Sequence, residues 1–127
     1  MRGYTARALF LLGLLMLSMV ARSEDPGQLF VVHFETGPGW QQGLTAGQQP
    51  GFDEHAANLQ RLRKEGKLVF GARYQQYGMV FLVAENLIAA KLILDSDPGV
   101  NRGLFIYKVA EMQVFYPWRD EEKLPLL

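Results

Sequence analysis

The sequence predicts an α+β domain with the element order β-α-β-β-α-β, the split βαβ or ferredoxin-like arrangement. Four segments rich in β-branched and aromatic residues alternate with two of helical periodicity. The two middle strands are joined by a tight connection, the mark of a hairpin. Glycine or proline punctuates the helix ends. Such a chain builds a four-stranded antiparallel sheet with both helices on one face.

The first strand is Gln28–Phe34, with faces Leu29, Val31, His33 and Phe30, Val32, Phe34. Both faces are apolar, so the strand should be covered on both sides. His33 reads as a partly buried strand residue, with a place in a binding site as the other possibility. Residues 35–51 follow without periodicity. They hold Gly37, Pro38, Gly39, Gly43, Gly47, Pro50 and Gly51, with Trp40 among four glutamines. This is a long loop for so small a domain, and Trp40 either lids a pocket or anchors its own loop.

The first helix should start at Asp53 as N-cap, with Phe52 as a hydrophobic staple, and end at Glu65 before Gly66. Phe52, Ala56, Leu59 and Leu62 mark its buried face. At about 100° per residue, His55 lies within roughly 40° of Leu59 and 20° of Leu62, so it points inward. It is either a half-buried core histidine or a functional one, close to the positive helix end. Lys67–Tyr74 and Met79–Ala84 form the hairpin across Gln75-Gln76-Tyr77-Gly78, and Gly71 suggests a bulge or a close backbone approach. Asn86–Asp95 is a nearly all-apolar helix, with Lys91 the exception, and should be buried widely, against the sheet and a partner. Asp95-Ser96-Asp97-Pro98-Gly99 stops it, and Leu104–Tyr116 is the last strand.

At 127 residues the chain holds one domain at most. Arg2 and Arg7, the apolar run Ala8–Val20 and the small residues Ala21 and Ser23 have the layout of a cleavable signal peptide over 1–23. The expectation is a periplasmic or secreted domain, 24–116, with a charged tail, 117–127, and no membrane contact after cleavage. Cleavage removes three basic residues and no acidic one, leaving 10 basic against 13 acidic residues and a charge of −3. No basic cluster remains to hold nucleic acid. The absence of cysteine excludes disulfides, thiol chemistry and cysteine-ligated metals. Two histidines on different elements are too few for a metal site, and no phosphate-binding or nucleophile-elbow motif occurs, so neither metal nor cofactor is expected.

Strand directions in this topology bring the start of the first helix and the end of the second to one sheet edge. His55 should there meet Asp95 or Asp97, and a carboxylate that fixes the imidazole tautomer makes a general acid or base. The competing reading has Asp97 capping its own turn, Asp97-Pro98-Gly99-Val100. Neither central strand has a polar face, so a second copy packed sheet to sheet is the economical cover.

The segments Asp53-Glu54-His55-Ala56-Ala57-Asn58-Leu59, Glu65-Gly66-Lys67-Leu68-Val69-Phe70-Gly71, Ala89-Ala90, Asp95-Ser96-Asp97-Pro98-Gly99-Val100 and Gly103-Leu104 resemble the YCII-related (YciI-like) domain family over Leu29–Tyr116. The resemblance implies a dimeric α+β barrel of ferredoxin-like subunits and a His–Asp dyad, here His55 and Asp97. It also implies small ring compounds as substrates, since members with assigned chemistry are lyases or dehydrochlorinases. Departures are Phe52 where the family usually has arginine, Gly71-Ala72-Arg73 where it has Gly-Pro, and the longer loop. Anion recognition would fall to Arg73 or Arg102. The expected site is therefore His55 and Asp97 as a cofactor-free acid/base pair, with Arg73, Trp40 and His33 binding a small organic molecule. The alternative is a dimeric module that binds or scaffolds without catalysis.

Overall fold

The computed structural model describes residues 27–117. The expected signal peptide and nearly all of the tail lie outside the described residues. The elements are β1 (Gln28–Thr36), α1 (Phe52–Lys64), β2 (Leu68–Tyr74), β3 (Tyr77–Ala84), α2 (Leu87–Asp95), α3 (Pro98–Asn101) and β4 (Phe105–Glu111). The strands form one sheet in the order β2-β3-β1-β4, antiparallel at every pairing. β1-α1-β2 and β3-α2-β4 each cross over one intervening strand. Right-handed crossovers of that kind put both helices on the same face.

That face holds the core. Phe30, Val32 and Phe34 of β1 and Val80, Leu82 and Ala84 of β3 meet Leu62 of α1 and Ala90 and Leu94 of α2. The alternation along β1 sends Leu29, Val31, His33 and Glu35 to the opposite face, where they are only half-covered. The same parity puts Phe70, Ala72 and Tyr74 of β2 and Tyr77, Met79, Phe81 and Val83 of β3 beside them.

The helix ends follow local chemistry. Gly51, at φ 92°, is the N-cap of α1, so Asp53 sits inside the first turn and not at the cap. Pro50-Gly51 makes a left-handed entry that Asp53 could not adopt cheaply, and Asp53 and Glu54 instead favour the positive end of the helix from within it. At the other end Gly66 (φ 73°) donates to Arg63 O at 3.1 Å and Lys67 to Leu62 O at 2.9 Å, the paired bonds of a Schellman stop. Asn86 caps α2 by accepting the Ala89 N–H at 2.9 Å.

Four further elements differ from expectation. The bulge of β2 falls between Leu68 and Phe70, while Gly71 pairs regularly with Val80. The last strand stops at Glu111, opposite Phe30, and only the Met112 N–H still reaches β1 beyond it, donating to Leu29 O at 2.9 Å. The turn after Asp97 closes into the short helix α3, with Pro98 at its first position. And α2 is not covered all round, since Ile88 (73% exposed) and Leu92 (64%) face outward.

The loop 37–51 is held at three places. Gly37 N–H donates to Leu104 O and Gly39 N–H to Gly103 O, both at 2.8 Å, which extends the β1–β4 edge. A Cβ on Gly37 would stand 2.3 Å from Gly103 O, so only glycine allows this approach. Residues 46–48 make a single 3-10 turn, and the buried Gln49 side chain bonds the backbone of Gln41 and Leu44.

Candidate functional site

Asp97 brings the site together. Its Oδ1 accepts the Gly99 N–H at 2.8 Å and the Val100 N–H at 3.2 Å, capping α3, and lies 2.7 Å from His55 Nδ1. Its Oδ2 accepts Asn58 Nδ2 at 2.8 Å. The turn-capping and the histidine-orienting roles expected as alternatives thus coexist in one carboxylate. The convergence expected from strand direction is present: α1 supplies His55 and Asn58 one helical turn apart, and the segment after α2 supplies Asp97.

Burial alone would raise the Asp97 carboxyl. The hydrogen bonds from His55 and Asn58, the charge of His55 and the Val100 N–H outweigh it and hold the group below its ordinary 3.8. Asp97 is therefore an anion and can only accept, so Nδ1 of His55 carries the shared proton. In the neutral ring Nε2 is then the acceptor. It has no protein partner among the described residues, yet no buried side-chain nitrogen there is left unpartnered, so Nε2 opens into the adjoining cavity.

Aromatic rings fix the imidazole from the other sides. Its centroid is 4.6 Å from that of Phe105, 5.5 Å from Phe34 and 6.2 Å from Phe52. The cavity beside it has a volume of about 400 Å³, and its walls include Phe34, Trp40, Phe52, Leu59, Val80 and Phe105. Such an apolar cleft with a few convergent polar groups is the usual form of a small-molecule site.

The five expected site residues divide. His55 and Asp97 are bonded to each other, and Arg73 and Trp40 line the same cavity. Trp40 also packs on Phe105 at 5.9 Å, so it walls the cavity and anchors its loop at once. His33 lies elsewhere. It is one residue from Phe34, and strand alternation turns it to the opposite face of the sheet. There Nδ1 lies 2.7 Å from the Tyr74 hydroxyl and Nε2 3.4 Å from Glu35. Arg102 is also outside, since it pairs with Glu54 at 3.2 Å and lies across Gly51.

Three contributors went unread in the sequence. Asn58 stands one turn from His55 on the same helix face, a spacing that points to a shared partner. Phe105 carries no local signal, because only the sheet register sets it under His55. Gly99 gives a weak one as part of the Asp-Pro-Gly turn. A Cβ there would be 3.0 Å from both Asp97 Oδ1 and His55 Cβ. Among the described residues no three His, Asp or Glu side chains are grouped to hold a metal ion, and no helix is long and apolar enough to cross a membrane.

No protein-family model matches the chain. Nor does any curated protein sequence. Among solved structures the fold is similar to that of 5-chloro-2-hydroxyhydroquinone dehydrochlorinase from Burkholderia phenoliruptrix, in complex with 2,5-dihydroxybenzoquinone. The TM-score is 0.51 at 20% identity, covering 68% of this chain and 94% of the other. At that identity the likeness establishes the fold, a ferredoxin-like α+β domain.

Proposed function

We propose that this protein is a cofactor-free acid/base catalyst acting on a small unsaturated ring compound, a lyase or isomerase of the YCII-like kind. The observation that carries the reading is the buried 2.7 Å contact of His55 Nδ1 with Asp97, which leaves Nε2 facing an apolar cavity. Nε2 takes a proton from a ring carbon made acidic by a neighbouring carbonyl. The C–H electron pair becomes the new double bond, and an anion leaves the adjacent carbon or, in an isomerisation, the proton returns elsewhere. Asp97 keeps the tautomer and stabilises the imidazolium; a base so placed contributes about 10² to 10⁴ in rate. The neighbour of like fold is described as a dehydrochlorinase holding a quinone, which supports the ring class.

A titration of the two histidines by NMR, with and without Asp97→Asn, tests the pair. The reading expects the ring resonances of His55 to respond when Asp97 loses its charge while those of His33, on the opposite face of the sheet, do not. A His55 that ignores Asp97 leaves the second reading, a module that binds a small ligand without turning it over. Phe52, an apolar residue at the cavity wall where related domains usually carry arginine, favours that second reading.

A homodimer joined through the open sheet face belongs to the same proposal. That face exposes Phe70, Tyr74 and Ile106 and half-exposes Val31, Phe81 and Val83. Sedimentation of Val31→Asp should give a monomer where the parent sediments as a dimer. Export to the periplasm or medium rests on the N-terminal pattern, and the mass of the secreted chain tests cleavage after Ser23.

A further inference from the structure

We infer that the cavity selects a flat ring bearing a negative charge, and that Arg73 is the residue that sets this selectivity. The inference deepens the proposed function: it rests on the same cavity but not on the proton-transfer step.

The register lays out the floor. Phe34 pairs with Gly78, and Gly78 with Arg73, so the three form one row across β1, β3 and β2 on the helix-facing side. Strands stand about 4.8 Å apart, which puts the Phe34 and Arg73 backbones about 10 Å from each other. Gly78 between them contributes no side chain. A Cβ there would meet only Phe34, at 3.6 Å, and one at neighbouring Gly71 only Val80 and Leu68, at 3.8 and 4.0 Å. These glycines are not demanded by backbone strain or by contact. What they leave is open floor. His55 packs over Phe34 at one end of the row, and Arg73 stands at the other. A ring seated over Gly78 meets the imidazole at one edge and the guanidinium at the opposite edge.

Charge points the same way. No aspartate or glutamate lines the cavity, and Arg73 is its fixed cation. Of the arginines among the described residues, Arg61 pairs with Glu65, Arg102 with Glu54, and Arg63 donates to the carbonyls of Leu68 and Val69. Arg73 has no such partner among them. Its planar fork suits a carboxylate, or the oxygen of a phenolate, in two parallel hydrogen bonds. Phe34, Phe52, Trp40 and Phe105 supply the aromatic walls against which a flat ring stacks.

The test compares benzoate with its neutral isostere benzamide, each titrated into the purified protein and followed at the Trp40 indole and the Gly78 amide by NMR. Benzoate should bind at least about tenfold more tightly than benzamide. Arg73→Gln should erase that preference, and Arg73→Lys should restore part of it. Arg73 is exposed at the cavity mouth, so these variants keep the fold. The inference is overturned if benzamide equals benzoate, if Arg73→Gln leaves the preference intact, or if neither probe binds below about 10 mM. The His55 titration is run on the same samples. Benzoate preference without His55–Asp97 coupling sinks only the acid/base reading, and coupling without preference sinks only this one.

Discussion

Oδ1 of Asp97 lies 2.7 Å from Nδ1 of His55 while also accepting the first backbone N–H groups of α3, so one buried oxygen both starts a helix and orients an imidazole 42 residues away in the chain. Under the proposed function structural and chemical roles are fused in it, and changes at Asp97 should affect both.

Asp97→Ala should cost about 3 to 5 kcal/mol, because it leaves the His55 ring and the α3 N–H groups without an acceptor. Asp97→Asn keeps an acceptor oxygen and should cost less, about 1 to 3 kcal/mol. Urea denaturation of both variants checks the order.

Acid should weaken the protein through the same group. The carboxyl is held below its ordinary 3.8 in the folded state, so its contribution is full above about pH 4 and is lost as pH falls through the folded value. The urea midpoint should therefore drop below pH 4 in the parent, and drop less steeply in Asp97→Asn. An equal slope in both would assign the acid sensitivity to other carboxylates.

Gly99→Ala is a small change with a large expected effect. Its Cβ would stand 3.0 Å from Asp97 Oδ1 and 3.1 Å from His55 Cγ, and neither atom is the end of a flexible chain. Overpacking of this kind costs about 1 to 3 kcal/mol. The low-field Nδ1–H resonance of His55 should shift or vanish, and an unchanged resonance would mean that α3 moves away instead.

Gln49→Ala should loosen the loop that carries Trp40. The buried amide donates to Gln41 O at 2.7 Å and Leu44 O at 3.2 Å and accepts the Gln41 N–H at 2.8 Å. Removing it orphans those backbone groups, at about 1 to 3 kcal/mol. Faster hydrogen exchange confined to residues 40–49 is the expected signature.

Tyr107 donates to Asp95 at 2.7 Å and ties the end of α2 to β4. Burial, then the hydrogen bond and charge of Asp95, push its hydroxyl up to about 12 from 10.0. Stability from this group is complete below pH 10 and is lost as pH rises through the folded value. In an ultraviolet titration Asp95→Asn should bring Tyr107 part of the way back toward 10, since burial, the larger cause, remains.

Local chemistry made much of the fold legible in advance. Runs of β-branched and aromatic residues mark β1 and β3, and Gly66 marks the end of α1. The order of these elements is enough to write down the sheet. Where expectation missed, a local signal had a competitor. Asp53 is a good cap by composition, but Gly51 alone takes the left-handed entry cheaply, and the Gly71 signal for a bulge went unused because the irregularity fell at Leu68–Phe70.

By itself the sequence determined which residues have reactive side chains and, through strand direction, that His55 and Asp97 belong at one edge of the sheet. The site needed more than that. Whether His33 or Phe34 faces the cavity is a question of strand parity against the helix layer, and the core sends Phe34 in and His33 out. Whether Arg73 or Arg102 reaches the cavity depends on register, which sets Arg73 across from Gly78 and leaves Arg102 with Glu54. The floor itself is an absence of side chains at Gly71 and Gly78, and it takes shape only when Phe34 and Phe105 pack around it. Composition and periodicity are properties of a segment. A cavity is a property of how segments far apart in the chain fail to fill the space between them, and only tertiary packing decides that.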